Sequence, residues 1–147
     1  MLPLAQFIAV LATTTFQGAA VYITVVEHPA RMSCATEVAA AEWAPSYRRA
    51  TLMQAPLAVV GGSAGLAAWM LGAGLPWMVA ALCIFAVVPL TLVVIAPTNT
   101  RLLAPGRDLA SPETRALLVA WGRLHAIRSA LSVIASVMLL WQLVHSG

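Results

Sequence analysis

Residues 50–100 read ATLMQAPLAVVGGSAGLAAWMLGAGLPWMVAALCIFAVVPLTLVVIAPTNT, 51 residues without one charged side chain. A helix of about 20 apolar residues crosses a hydrocarbon core roughly 30 Å thick, so this run is too long for one span and suits two. Leu71-Gly72-Ala73-Gly74-Leu75-Pro76 breaks it near the middle, with glycine and proline where a turn needs them. The run therefore predicts a helical hairpin, about 50–71 and 75–96. In lipid only a helix or a closed barrel satisfies its own backbone. A strand would alternate in polarity, and these segments are apolar all round.

Residues 1–26 and 129–147 are also uncharged. The first predicts a span at about 4–26. It lacks the basic n-region of a cleaved signal peptide and is too long for one. Upstream of the last run, Ser111-Pro112-Glu113 has the pattern of an N-cap, a proline at the first helical position and an acid in the first turn. The fourth helix then runs from about 112 to 144, roughly 48 Å at 1.5 Å per residue, and its first turns project from the bilayer. The expected fold is all-α: a single-domain integral membrane four-helix bundle over 1–147, with the 27–49 segment capping one end and an extended fourth helix.

Composition agrees. The chain is 61% hydrophobic and 9% charged, with a mean hydropathy of +0.90. A soluble domain carries roughly 25% charged residues. So few charges cannot solvate a small globule, which excludes a soluble enzyme, a disordered chain and a nucleic-acid binder. All charges fall within residues 27–49 and 101–128, and every basic residue is an arginine. Connectivity puts both blocks on one side, opposite the 72–76 turn and both termini. The positive-inside rule then predicts a multi-pass protein of the cell's inner (plasma) membrane, with loops 27–49 and 97–111 cytoplasmic and both termini outside. Trp69, Trp77 and Trp141 fall near the outer boundary and Trp43 and Trp121 near the inner one, as an aromatic belt would. Cys34 and Cys83 lie at different levels, so no disulfide is expected.

Buried polar groups mark function in such a bundle. On the first helix Thr13, Gln17, Thr24, Glu27, His28 and Arg31 keep close to one face, around Pro29, which is expected to end or kink the helix. Tyr47, Thr51 and Gln54 share a face of the second helix, next to Arg48 and Arg49. Pro97 should stop the third helix, with Asn99 in the turn behind it. Trp121, His125, Arg128 and Ser132, spaced 4, 3 and 4, form one stripe where the fourth helix enters the bilayer. Glu27 is the nearest counter-charge by depth for that stripe. His145 belongs to the opposite surface.

Four segments together carry a resemblance: Glu27-His28-Pro29-Ala30-Arg31, Trp43-Ala44-Pro45-Ser46-Tyr47-Arg48-Arg49, Pro97-Thr98-Asn99-Thr100-Arg101-Leu102-Leu103 and Trp121-Gly122-Arg123-Leu124-His125-Ala126-Ile127-Arg128. In this order they resemble the anthrone-oxygenase-like family of small four-helix membrane proteins. The resemblance implies oxidation of a lipophilic anthrone- or hydroquinone-like aromatic by O₂, with no metal or flavin.

Residue chemistry can be fitted to that reaction. An anthrone has a CH₂ made acidic by conjugation with the carbonyl across its central ring, and its anion can reduce O₂ directly. His125 or His28 suits the base, with Glu27 alongside. Arg128 or Arg48 suits stabilisation of the anion. Trp43, Tyr47 and Trp121 suit stacking on a flat ring system, and Asn99 a hydrogen bond to a phenol or carbonyl oxygen. Glu27, His28 and His125 form a competing set for non-haem iron, and the two histidines one for haem. The alternative function is a non-catalytic accessory subunit, or a quinone- or lipid-binding module, of a larger membrane complex. The expected partners are a lipophilic aromatic or quinone, the lipid bilayer, and further copies or subunits in a membrane assembly.

Overall fold

The computed structural model describes residues 1–145. It contains four long apolar helices, α1 (Leu2–Met32), α2 (Thr36–Ala73), α3 (Leu75–Leu102) and α4 (Pro112–His145). Each is long and apolar enough to span a bilayer. Among the described residues none is in a strand. Short connections make consecutive helices antiparallel neighbours, and α4 packs back on α1 to close the bundle. Leu4, Phe7, Leu52, Leu92, Val93 and Val144 point outwards, as they must where the surrounding medium is hydrocarbon.

Lipid tails are as apolar as leucine, so the helices are held by close contact of small residues rather than by exclusion of water. The Gly61-Gly62-Ser63-Ala64-Gly65 segment does this for α2. A Cβ on Gly61 would lie 2.6 Å from the Thr13 hydroxyl of α1, and one on Gly65 3.0 Å from Ala81 of α3. At the tight α2–α3 turn, Gly72 and Gly74 both have φ of 96°, a conformation open to glycine at little cost.

At two prolines the helix runs on, for one reason. The sequence predicts an end or a kink at Pro29 and a stop at Pro97, and α1 continues to Met32 and α3 to Leu102. A π-helical turn precedes each proline, at Ile23–Glu27 and at Leu90–Ile95. The His28 N–H bonds the Ile23 carbonyl and the Ala96 N–H bonds that of Thr91, each five residues back. A proline removes one helical donor and crowds the carbonyl four residues before it. A turn widened by one residue re-spaces those carbonyls, and long membrane helices tolerate proline this way.

The 27–49 segment closes its end of the bundle, but as a helical hairpin and not as a loop. α2 begins at Thr36 rather than near Ala50. Its first turns project beyond the apolar layer with Glu37, Glu42, Arg48 and Arg49 on their exposed side. Hydropathy registers only the part of a helix that lies in lipid. The tryptophan belt is also partly corrected. Trp69 and Trp141 are exposed, but Trp77, Trp43 and Trp121 are buried core residues.

Candidate active site at the arginine-bearing end

The polar residues of this end gather between the helices. α1 contributes Thr24, Glu27, His28 and Arg31, just where its π-turn changes the side-chain phase. π-turns inside α-helices are frequent at functional sites. α2 contributes Glu42, Ser46, Tyr47 and Gln54, α3 Asn99, and α4 Trp121, His125, Arg128 and Ser129.

Arg31 organises the lower half. It is only 5% exposed and donates to Glu27 on its own helix and to Glu42 on α2. The Ser46 hydroxyl lies 3.3 Å from its Nη2 and donates to Glu27 at 2.5 Å. Its Nη1 lies 3.4 Å from His28 Nδ1. A buried charge is tolerated only when paired and hydrogen-bonded, and here two carboxylates and a hydroxyl satisfy it.

An aromatic ladder stands above. Tyr47 stacks on Trp43 with centroids 5.0 Å apart, and Trp43 meets Trp121 edge-on at 5.7 Å. Trp121 stacks on His125 at 4.8 Å and contacts His28 at 5.2 Å. The His28 ring fits because residue 122 is glycine: a Cβ there would overlap its imidazole. His125 is 2% exposed, and its Nδ1 lies 3.0 Å from the Thr24 hydroxyl. Thr24 is held in turn by the Ala20 carbonyl at 3.0 Å and the Ser129 hydroxyl at 2.7 Å. The imidazole is thus fixed by one nitrogen and by one ring face.

Arg128 differs from Arg31. Its Nη2 donates to Gln54 Oε1 at 2.9 Å, and its Cζ sits 5.6 Å from the Phe16 ring centroid, a cation–π contact. No carboxylate lies within ion-pair reach of it among the described residues. Arg128 Nε and Gln54 Nε2 are buried without a hydrogen-bond partner, as is Asn99 Oδ1. Asn99 Nδ2 donates to the Tyr47 hydroxyl at 3.1 Å, joining α3 to α2. A cavity of about 10 Å³ is lined by Arg31, Tyr47, Gln54, Trp121, His125 and Arg128, among others. That is room for about one water molecule.

The expected residues therefore meet in part. His125, Arg128, Tyr47, Trp121 and Asn99 converge. Glu27 and His28 join them through Arg31; Glu27 is engaged by Arg31 and Ser46, not by the α4 stripe for which it is the expected counter-charge. Arg48 is exposed, one position and so about 100° around the helix from Tyr47. Trp43 is 1% exposed, stacked on Tyr47 and meeting Trp121 edge-on. Among the described residues no three His, Cys, Asp or Glu side chains form a group able to hold a metal ion. Of the Glu27, His28 and His125 set, the carboxylate is held by Arg31 and Ser46, and Trp121 contacts both imidazoles. Arg31 and Gln54 stand on polar helix faces in the sequence, but spacing alone gives neither a role at the site. Arg31 follows Glu27 by four residues, and Gln54 shares the face of Tyr47 and Thr51.

Known proteins share much of this chain. No solved structure matches it. The anthrone oxygenase tpcL of Aspergillus fumigatus is 41% identical over 75 residues, covering 49% of this chain and 47% of that protein. The chain thus spans about half the length of this curated relative. A family model described as anthrone oxygenase matches residues 43–138. The match takes in Tyr47, Gln54, Asn99, Trp121, His125 and Arg128, and leaves Glu27, His28 and Arg31 outside it. Since it covers well over half of the sequence, the chain belongs to the anthrone oxygenase family.

Proposed function

We propose that the protein is a membrane oxygenase that oxidises a lipophilic anthrone- or hydroquinone-like aromatic with O₂, using His125 as base and Arg128 to stabilise the anion. The observation that carries the reading is the small cavity where a fixed imidazole and an arginine without a carboxylate partner meet inside an apolar bundle. Thr24 engages Nδ1 of His125, which leaves Nε2 for proton transfer. The cavity is too small for a ring system, so one water in it relays the proton from the substrate carbon, a distance general bases can bridge.

For an anthrone the steps balance in atoms and electrons. The CH₂ loses a proton towards His125, and the resulting anion delocalises its charge onto the carbonyl oxygen across the ring, where Arg128 and Gln54 donate to it. Fixed donors aimed at developing charge act strongly in a water-poor site. The carbanionic carbon gives its electron pair to O₂ and forms a C–O bond, and a proton completes the hydroperoxide. Loss of the second C–H proton breaks the O–O bond and yields the ketone and one water. One O₂ is consumed per substrate, and no metal is required. The eight arginines at this end support placing it in the cytoplasm.

The test is oxygen uptake by the purified protein with an anthrone, before and after dialysis against EDTA. His125→Asn keeps a hydrogen-bonding group near Thr24 and should lower the rate by about 10²–10⁴-fold with unchanged thermal unfolding. A stable variant with the wild-type rate would remove His125 from the chemistry. The Arg128–Gln54 pair also suits a quinone carbonyl, which supports the second reading, a quinone-binding module. Tight quinone binding without any oxygen uptake would favour that reading.

A further inference from the structure

The cavity beside His125 holds about one water, so a ring system must sit elsewhere. Four of its lining residues, Tyr47, Thr51, Gln54 and Arg128, also line a second cavity of about 150 Å³ between α2 and α3. The rest of that lining is mainly apolar, with Phe16, Ala58, Val87, Val88 and Leu92 among it. α2 packs closely on the Leu75–Pro89 part of α3 and less closely beyond Pro89, where the π-turn Leu90–Ile95 lies. Ala55 and Leu92, at the cavity edge, are exposed on the outer surface of the bundle. Arg128 lies about 25 Å along α4 from His145 at 1.5 Å per residue, so this opening faces acyl chains.

We propose that the α2–α3 cavity is the ring-binding subsite, entered sideways from the bilayer, and that it seats the oxygen-bearing ring of a lipophilic aromatic, with its phenolate, enolate or carbonyl oxygen on Arg128 and Gln54 and the remaining rings in the opening towards lipid. This rests on the oxygenase reading and adds to it where the substrate sits and how it arrives. The chemistry at the inner end of the cavity selects the ligand. Arg128 supplies an uncompensated positive charge. Its Nε and the Nε2 of Gln54, a residue 1% exposed, are donors without acceptors. Buried donors left unpaired are costly, and an acceptor oxygen entering from the cavity would satisfy both. The cleft on the other side, between α1 and α2, is larger at about 520 Å³ but is lined by Glu27 and Glu42. Arg49 also lines it, and with Arg31 the two arginines balance the two carboxylates, so this cleft offers no net positive charge to an anionic oxygen.

The probe is 1,8-dihydroxyanthraquinone, already oxidised and so bound without turnover. Binding to the detergent-solubilised full chain is read by its absorbance shift, and anthrone oxidation is measured in parallel. Ala55→Trp fills the cavity mouth from a lipid-exposed position and should weaken probe binding about tenfold or more. Arg128→Gln removes the charge and should do the same, the loss expected for one charge-assisted hydrogen bond. Val137→Trp, on the exposed face of α4, should bind and turn over as wild type. If Ala55→Trp and Arg128→Gln bind the probe like wild type, the subsite is wrong, even where His125-dependent turnover persists. If both lose the probe while no form of the protein oxidises an anthrone, the subsite stands and the oxygenase reading falls. Palmitate displacing the quinone at equal concentration would mark a fatty-carboxylate seat and overturn the proposal.

Discussion

Replacing Arg31 with methionine removes a guanidinium from between two carboxylates and keeps most of the apolar stem. The Arg31 side chain is 3% exposed, that of Glu27 25% and that of Glu42 50%. Breaking a buried pair by deleting one partner costs about 3–5 kcal/mol, because the other charge is stranded. An exposed pair is worth about 0.2–1 kcal/mol. Glu27 lies nearer the buried limit but keeps the Ser46 hydroxyl, and Glu42 can turn to solvent. The expected loss for Arg31→Met is therefore about 2–4 kcal/mol, most of it from stranded Glu27. Reversible unfolding by SDS in mixed micelles, followed by circular dichroism, measures it. Adding Glu27→Gln removes the stranded charge and should recover at least half of the loss. An Arg31→Met variant within about 0.5 kcal/mol of wild type, or a double variant no better than the single one, would refute Arg31 as the keystone of this end.

Two further outcomes are expected from the geometry. Gly122→Ala should destabilise by about 1–3 kcal/mol through overpacking on the His28 ring, whereas Gly18→Ala, where a Cβ meets nothing within 4 Å, should be neutral or mildly stabilising; equal effects in the same unfolding assay would deny the close α1–α4 contact. In a background without Cys34 and Cys83, an impermeant maleimide on intact cells should label Gly74→Cys but reach Ala104→Cys only after permeabilisation, and the reverse pattern would invert the orientation while leaving the four helices in place.

The fold is largely legible in the sequence because charge placement alone separates the apolar runs, and the Leu71–Pro76 breaker divides the longest. The helix ends are not. Pro97 reads as a stop, and Pro29 as an end or a kink, because a sequence displays the missing donor but not the widened turn that absorbs it. The start of α2 reads too late because Glu37, Glu42, Arg48 and Arg49 look like a loop to any measure built on lipid solubility. At the site, the spacing of Trp121, His125 and Arg128 names the α4 stripe correctly. What spacing cannot reveal is which arginine turns inward. Arg31 is buried only because the projecting turns of α2 bring Glu42 and Ser46 across to it. Arg48 is exposed only because Tyr47, one residue earlier, takes the inward direction. The roles of Trp43 and Gln54 depend on contacts between helices, which no single-helix pattern contains.

The central claim is that the His125–Arg128 cluster carries oxygen transfer to an aromatic carbon. The most direct measurement is turnover of an anthrone under ¹⁸O₂ by the purified chain, with mass spectrometry of the product. The expected result is one ¹⁸O atom in the new carbonyl, formed faster than in protein-free micelles, slowed by deuterium at the reacting CH₂, and lost in a folded His125→Asn variant. Labelled product formed no faster than without protein, or equally well by that variant, would contradict it.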